Sequence, residues 1–163
     1  MGVHPEIADA FLNNSVFSPL QQTVLVNALE EMKGVANREA FVRLALASSS
    51  STVAFFRQRQ AEMYAGYHKA VAPIESFVSL GNFAAARTKA GALVFNVPVD
   101  YLVWTEPIAR LVTGANQLVD ELGGVKEKQL WVTGTLSAST RKEAESRGWQ
   151  VQEQTEARLF EMK

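Results

Sequence analysis

Two short stretches carry the residue types and spacing that chemistry asks for. The first is Thr133-Gly134-Thr135-Leu136-Ser137, followed by Ser139, Thr140 and Arg141. A strand that turns at glycine into a helix N-terminus aims unpaired N–H groups at one place, and such a place suits an anion. The stretch has neither the G-x-G-x-x-G pattern nor a phosphate loop, since no G-K-[ST] follows its single glycine. Capping accounts for the same hydroxyls, because Ser and Thr are the residues that accept hydrogen bonds from the first turn of a helix. The second stretch is Asp100-Tyr101, with Trp104, Thr105 and Glu106. It falls at another strand-to-helix junction, and such junctions line the carboxyl edge of an open α/β sheet, where ligands collect. With the two strands parallel, Asp100 or Glu106 would stand near Thr133 and Thr135, an acid beside hydroxyls. The competing reading gives Asp100 to a turn and Glu106 to the positive end of a helix dipole.

His68, flanked by Tyr64, Tyr67 and Lys69, is the remaining candidate for acid–base work. It has no partner in sequence, and a structural histidine is the simpler reading. His4 lies near the start of the chain, and no H-E-x-x-H or related spacing points to a metal. No G-x-S-x-G elbow occurs, so nucleophilic hydrolysis has no support.

The elements that would position these residues fall into two halves. Residues 1–72 read as helical. Pro5 opens a short helix that Asn13 and Asn14 close, and Ser18 and Gln21 form a capping box before a stripe of Leu20, Val24, Ala28 and Met32, widened by Leu25 and Leu29. Asn37 is placed to cap a third helix that turns Phe41, Leu44 and Ala45 inward. The run Ser48 to Thr52 reads as a tight capping connection, with a flexible linker as the alternative. The helix beyond it repeats Val53, Phe56, Gln60, Met63, Tyr64, Tyr67 and Val71 at helical spacing, and Pro73 stops it. Residues 73–163 read as an α/β unit. Ile74 to Leu80, Phe83 to Arg87 and Leu93 to Val97 form a meander or hairpin, and Val99 to Trp104 continues as extended chain or as the end of that sheet. A helix capped by Thr105 and stopped by Gly123-Gly124 follows. A strand from Gln129 to Thr133, a polar surface helix and a last strand at Trp149 and Val151 complete the unit, and the tail packs through Leu159 and Phe160.

The expected fold class is therefore α/β or α+β, with a helical N-terminal half packed on a mixed sheet that ends in a β-α-β-α-β run. That run, from about Ala92 to Val151, resembles half of a doubly wound fold, a likeness of architecture that implies no activity. Trp131 and Trp149, on two of its strands, are the expected anchors of the sheet.

Composition narrows the function further. A formal charge of −1, from 16 basic and 17 acidic side chains, provides no field that would draw the chain onto nucleic acid or anionic lipid. The local excess of Arg57, Arg59, Lys69, Arg87 and Lys89 over Glu62 and Glu75 reads as a solvated face. With no cysteine there are no disulfides and no thiolate ligands, a composition that fits the cytoplasm or the periplasm alike. The opening residues show no signal peptide, and the longest uncharged stretch, Ala90 to Val99, is too short to cross a bilayer.

These readings lead to a non-catalytic protein-interaction or structural domain, needing no cofactor and no metal, whose partner is another protein or another domain of the same chain. A homodimer is compatible with it, while nucleic acid and membrane insertion are not expected. The alternative is a small ligand-binding or enzymatic domain with its site at the two junctions, formed by Asp100, Glu106, Thr133, Thr135 and Ser137.

Overall fold

The computed structural model describes residues 2–160. Four helices come first: α1 (Pro5–Leu12), α2 (Pro19–Glu31), α3 (Arg38–Leu46) and α4 (Ser51–Ala70). The meander follows as β1 (Ile74–Leu80), β2 (Phe83–Thr88) and β3 (Ala92–Val97), and then β4 (Tyr101–Leu102) and α5 (Glu106–Leu122). The chain ends with β5 (Glu127–Val132), β6 (Thr135–Leu136), α6 (Ala138–Ser146), β7 (Trp149–Gln152) and α7 (Glu156–Leu159).

The five-stranded sheet has the order β1-β2-β3-β5-β7. Its first three strands are antiparallel, while β3, β5 and β7 run parallel. The expected β-α-β-α-β run is thus present as β3-α5-β5-α6-β7. Both crossovers advance in the same direction along the sheet, so right-handed connections place α5 and α6 on one face. Ala115 of α5 and Ala144 of α6 indeed share a buried cluster with Leu93, Phe95 and Trp149. The opposite face carries the helical half, where Phe41, Tyr64 and Phe77 meet with ring centroids 5.2 to 6.3 Å apart. Strand alternation sorts β3 accordingly: Ala92 and Val94 belong to the helical side, and Leu93 and Phe95 to the α5–α6 side.

Local signals hold at most helix ends. Ser18 and Gln21 make both bonds of the capping box, and Ser50 accepts the Val53 N–H, so the serine run is a capped connection. Two expected caps are differently employed. Asn37 adopts a left-handed conformation and donates its amide to the Phe77 carbonyl 3.3 Å away, and Thr105 makes no side-chain cap bond. Residues Val99 to Trp104 do not extend the meander; β4 leaves the main sheet and pairs in parallel with β6.

One join between α4 and the sheet departs from ordinary pairing. The register that sets Ala86 opposite Val94 places Ala84 opposite Asn96, where a regular antiparallel ladder would exchange two hydrogen bonds. Instead the Tyr64 hydroxyl enters the gap, donating to the Ala84 carbonyl at 2.8 Å and accepting the Asn96 N–H at 3.2 Å. Gln60 donates to the Asn96 carbonyl at 3.0 Å, and Arg57 donates to Gln60 and to the Asn82 carbonyl. Burial holds the Tyr64 hydroxyl protonated well above the ordinary tyrosine range and lowers the pKa of Arg57. Arg57 is therefore no part of a solvated face: it is 7% exposed and bonded inside the protein.

The final helix meets α4 at Gly66, where an added Cβ would lie 1.7 Å from the Leu159 carbonyl oxygen. Leu159 is buried and Phe160 half-buried, as expected of the tail, and residues 161–163 lie outside the described residues. Trp131 is 3% exposed and meets Tyr67 edge to face at 5.3 Å. Trp131→Ala is expected to destabilise the fold by about 3 to 5 kcal/mol, read from denaturant unfolding; near-normal stability would show that the sheet is anchored elsewhere.

Candidate functional site

The two junctions singled out in the sequence lie side by side. Because β3 and β5 are parallel neighbours, both chains leave the sheet at the same edge, and they remain bonded beyond it. Gly134 N–H donates to the Val99 carbonyl and Thr135 N–H to the Asp100 carbonyl, each at 2.9 Å, while the Thr133 hydroxyl donates to the Val99 carbonyl at 2.9 Å. Gly134 is required here for closeness, since a Cβ on it would stand 1.8 Å from the Asp100 carbonyl oxygen. Its role is strand packing, where the sequence had suggested a phosphate turn.

A pocket of about 450 Å³ opens at this edge, lined by Phe55, Gln58 and Arg59 of α4, by Pro98 and Asp100, by Thr133 and Gly134, and by Glu156. Among the five sequence-derived candidates, Asp100 and Thr133 reach it. Thr135 is held in the short ladder opposite Tyr101. Ser137 caps α6 by accepting the Thr140 N–H at 3.1 Å. Glu106 is exposed on α5 in an ion pair with Arg110 at 2.6 Å and does not line the pocket. Phe55, Arg59 and Glu156 had given no signal as site residues, because they reach the pocket from helices remote in sequence.

The charges of the pocket are unequally employed. Arg59 bonds Glu62 at 3.3 Å and Glu156 at 3.0 Å, and its guanidinium lies 3.6 Å from the centre of the Phe160 ring. Its charge is thereby matched by two carboxylates. The Asp100 carboxylate has no hydrogen-bond or ion-pair partner among the described residues.

The anion site that the α6 N-terminus suggested is partly occupied from within the chain. The Glu153 carboxylate accepts the Leu136 N–H at 2.6 Å and pairs with Arg141. Ser137 N–H donates to the Leu102 carbonyl and Thr140 N–H to the Ser137 hydroxyl, so the Leu136, Ser137 and Thr140 amides at this turn are engaged within the chain.

A second cavity, of about 60 Å³, lies between α5 and the sheet, with walls that include Phe95, Leu102, Leu111, Ala115 and Trp149. Ala115 is the one buried residue of α5, so the helix rests on the sheet with its apolar stripe half-covered.

The two histidines lie outside both cavities. His68 accepts the Ile74 N–H on Nδ1 at 3.0 Å, and thus ties the end of α4 to the first residue of β1. Burial, and then the nearby Lys89, push its pKa below the ordinary value. Among the described residues no group of three or more His, Asp or Glu is placed to hold a metal ion, and no helix is long and apolar enough to cross a membrane.

Two expectations follow from these assignments. Glu153→Ala should cost about 1 to 3 kcal/mol by leaving the Leu136 N–H unpaired, and phosphate should then raise the melting temperature of the variant more than that of the parent at equal ionic strength. A folded state that holds His68 neutral gains its full contribution above pH 6.5 and loses it as pH falls below that value, because the unfolded chain then takes up the proton first. Unfolding measured from neutral pH down to about pH 5 should therefore show a decline that is shallower in His68→Gln.

Comparison with known proteins finds no matching family model, no matching curated protein and no matching solved structure.

Proposed function

We propose that this chain is a non-catalytic binding domain that takes an extended segment of another protein along the outer edge of β4. The observation that carries the reading is the state of that edge. Asp100 and Leu102 direct their backbone groups toward β6, as the Thr135 and Ser137 N–H donors show. The N–H and C=O groups of Tyr101 and Val103 consequently point the other way, and they have no backbone partner among the described residues. An edge of this kind offers a partner strand its hydrogen bonds ready-made.

The side chains agree with the backbone. Tyr101 is 59% exposed and Val103 46% exposed, and as residues i and i+2 they share one face. Leu102, between them, turns to the interior cavity. An incoming strand with alternating apolar residues would cover the exposed pair while its backbone continued the small sheet.

The second reading is a small ligand-binding or enzymatic domain with its site at the junctions near residues 100–106 and 133–137. It is supported by the pocket that contains Asp100 and Thr133.

The strand reading is tested with short extended peptides of alternating apolar residues, followed through the backbone amide signals of the protein. The largest changes are expected at Tyr101 and Val103, and Val103→Lys should abolish them while leaving the melting temperature unchanged, because the residue is exposed and its backbone is not bonded internally. Changes confined to the pocket residues would favour the ligand reading. Concentration-dependent dimers that disappear in Val103→Lys would assign the edge to a second copy of the chain and overturn the proposal.

A further inference from the structure

We infer that the pocket at the carboxyl edge is a receptor for an organic cation, an alkylammonium or guanidinium group. The inference stands on the pocket itself and goes beyond the strand-docking reading.

Charge is the first argument. Asp100 and Glu156 on the pocket wall carry two negative charges against the single positive charge of Arg59, and Arg59 is already bonded to Glu156 and, outside the lining, to Glu62. The unmatched group is Asp100, whose carboxylate has no partner among the described residues. An anionic ligand would meet this charge without the Thr133, Gly134 and Thr135 N–H groups to offset it, since these are bonded to the Val97, Val99 and Asp100 carbonyls. Shape and surface point the same way. Phe55, 54% exposed, shares the pocket wall with Asp100, and an aromatic ring in a site that also holds a carboxylate suits a guanidinium or ammonium group. Pro98 adds a second apolar wall for the alkyl stem, and the volume of about 450 Å³ accommodates a stem as well as its charged head.

The receptor is also positioned for the task. The backbone of Asp100 is fixed by the Thr135 N–H at 2.9 Å and by the close approach of Gly134, so its carboxylate projects from a held main chain. Asp100 immediately precedes the free edge at Tyr101. The cation can thus arrive as a free amine or as the lysine or arginine side chain of a segment docked on β4, and the recognition chemistry is the same.

The probes are butylguanidinium and its uncharged analogue butylurea, titrated into the full chain and followed through backbone amide signals. Butylguanidinium is expected to give saturable changes at residues 55–59, 99–100 and 133–134, butylurea to give none, and Asp100→Asn to weaken binding about fivefold, the ratio one exposed charge pair supports. Asp100 is exposed and unpaired, so the variant should fold as the parent does. Absence of saturable changes, equal response to butylurea, or full binding by Asp100→Asn would each overturn the inference. An extended apolar peptide carrying one arginine separates the sources. If it binds more tightly than butylguanidinium, and loses that gain in Val103→Lys, the cation comes from a docked segment; if the two bind alike, it comes as a free amine. Butylguanidinium binding without any gain from the peptide would remove the strand reading and leave the cation receptor standing.

Discussion

Arg57, Gln60 and Tyr64 lie on one face of α4 and take the place of the hydrogen bonds that β2 and β3 do not make to each other beyond Ala86 and Val94. Buried carbonyl and N–H groups without partners would be costly, so the fold can open this seam only because three polar side chains enter it. Their positions are linked to the rest of the core. Tyr64 also packs against Phe41 and Phe77, and so the contact that satisfies the seam fixes α4 over the sheet and α3 against β1. A single helix thereby sets the separation of the antiparallel and parallel portions of the sheet on its side.

The same logic of internal satisfaction shapes the carboxyl edge. A parallel sheet places strand ends and helix N-termini together, and unsatisfied groups collect there unless the chain supplies partners. Glu153 supplies one to Leu136, Thr133 binds the Val99 carbonyl, and Thr155 donates its hydroxyl to the Val132 carbonyl at 2.9 Å. Closing the edge in this way engages the Leu136, Ser137 and Thr140 amides, donors an anion would otherwise take. Among the described residues, the Asp100 carboxylate and the outer side of β4 are groups that still lack partners, and both proposals rest on them.

Much of the architecture was legible in the chain. Helix and strand periods, the capping box at Ser18, the glycine stops and the β-α-β-α-β run all depend on neighbours within a few residues, and the structure has them. Asp100 and Thr133 were legible as members of one edge, because parallel strands imply adjacent carboxyl ends. Arg57 was misread for a physical reason: a charged residue within a basic stretch is ordinarily solvated, and nothing local shows that a turn carbonyl at Asn82 and an amide at Gln60 will receive it. Glu153 was equally silent, since it meets Leu136 across an intervening helix and strand.

The sequence by itself determined the main helices and strands and the general place where a site could form, because these follow from periodicity and caps, while the short β6 and α7 came only with the tertiary contacts. Only the tertiary structure decided which polar groups are already occupied. A serine or threonine at a helix start, a lone glycine or an arginine on an amphipathic helix has the same local chemistry whether it serves a ligand or a neighbouring carbonyl. The distinction lies in contacts between residues far apart in the chain: Gly134 against Asp100, Glu153 on Leu136, and Phe55 with Glu156 around one pocket.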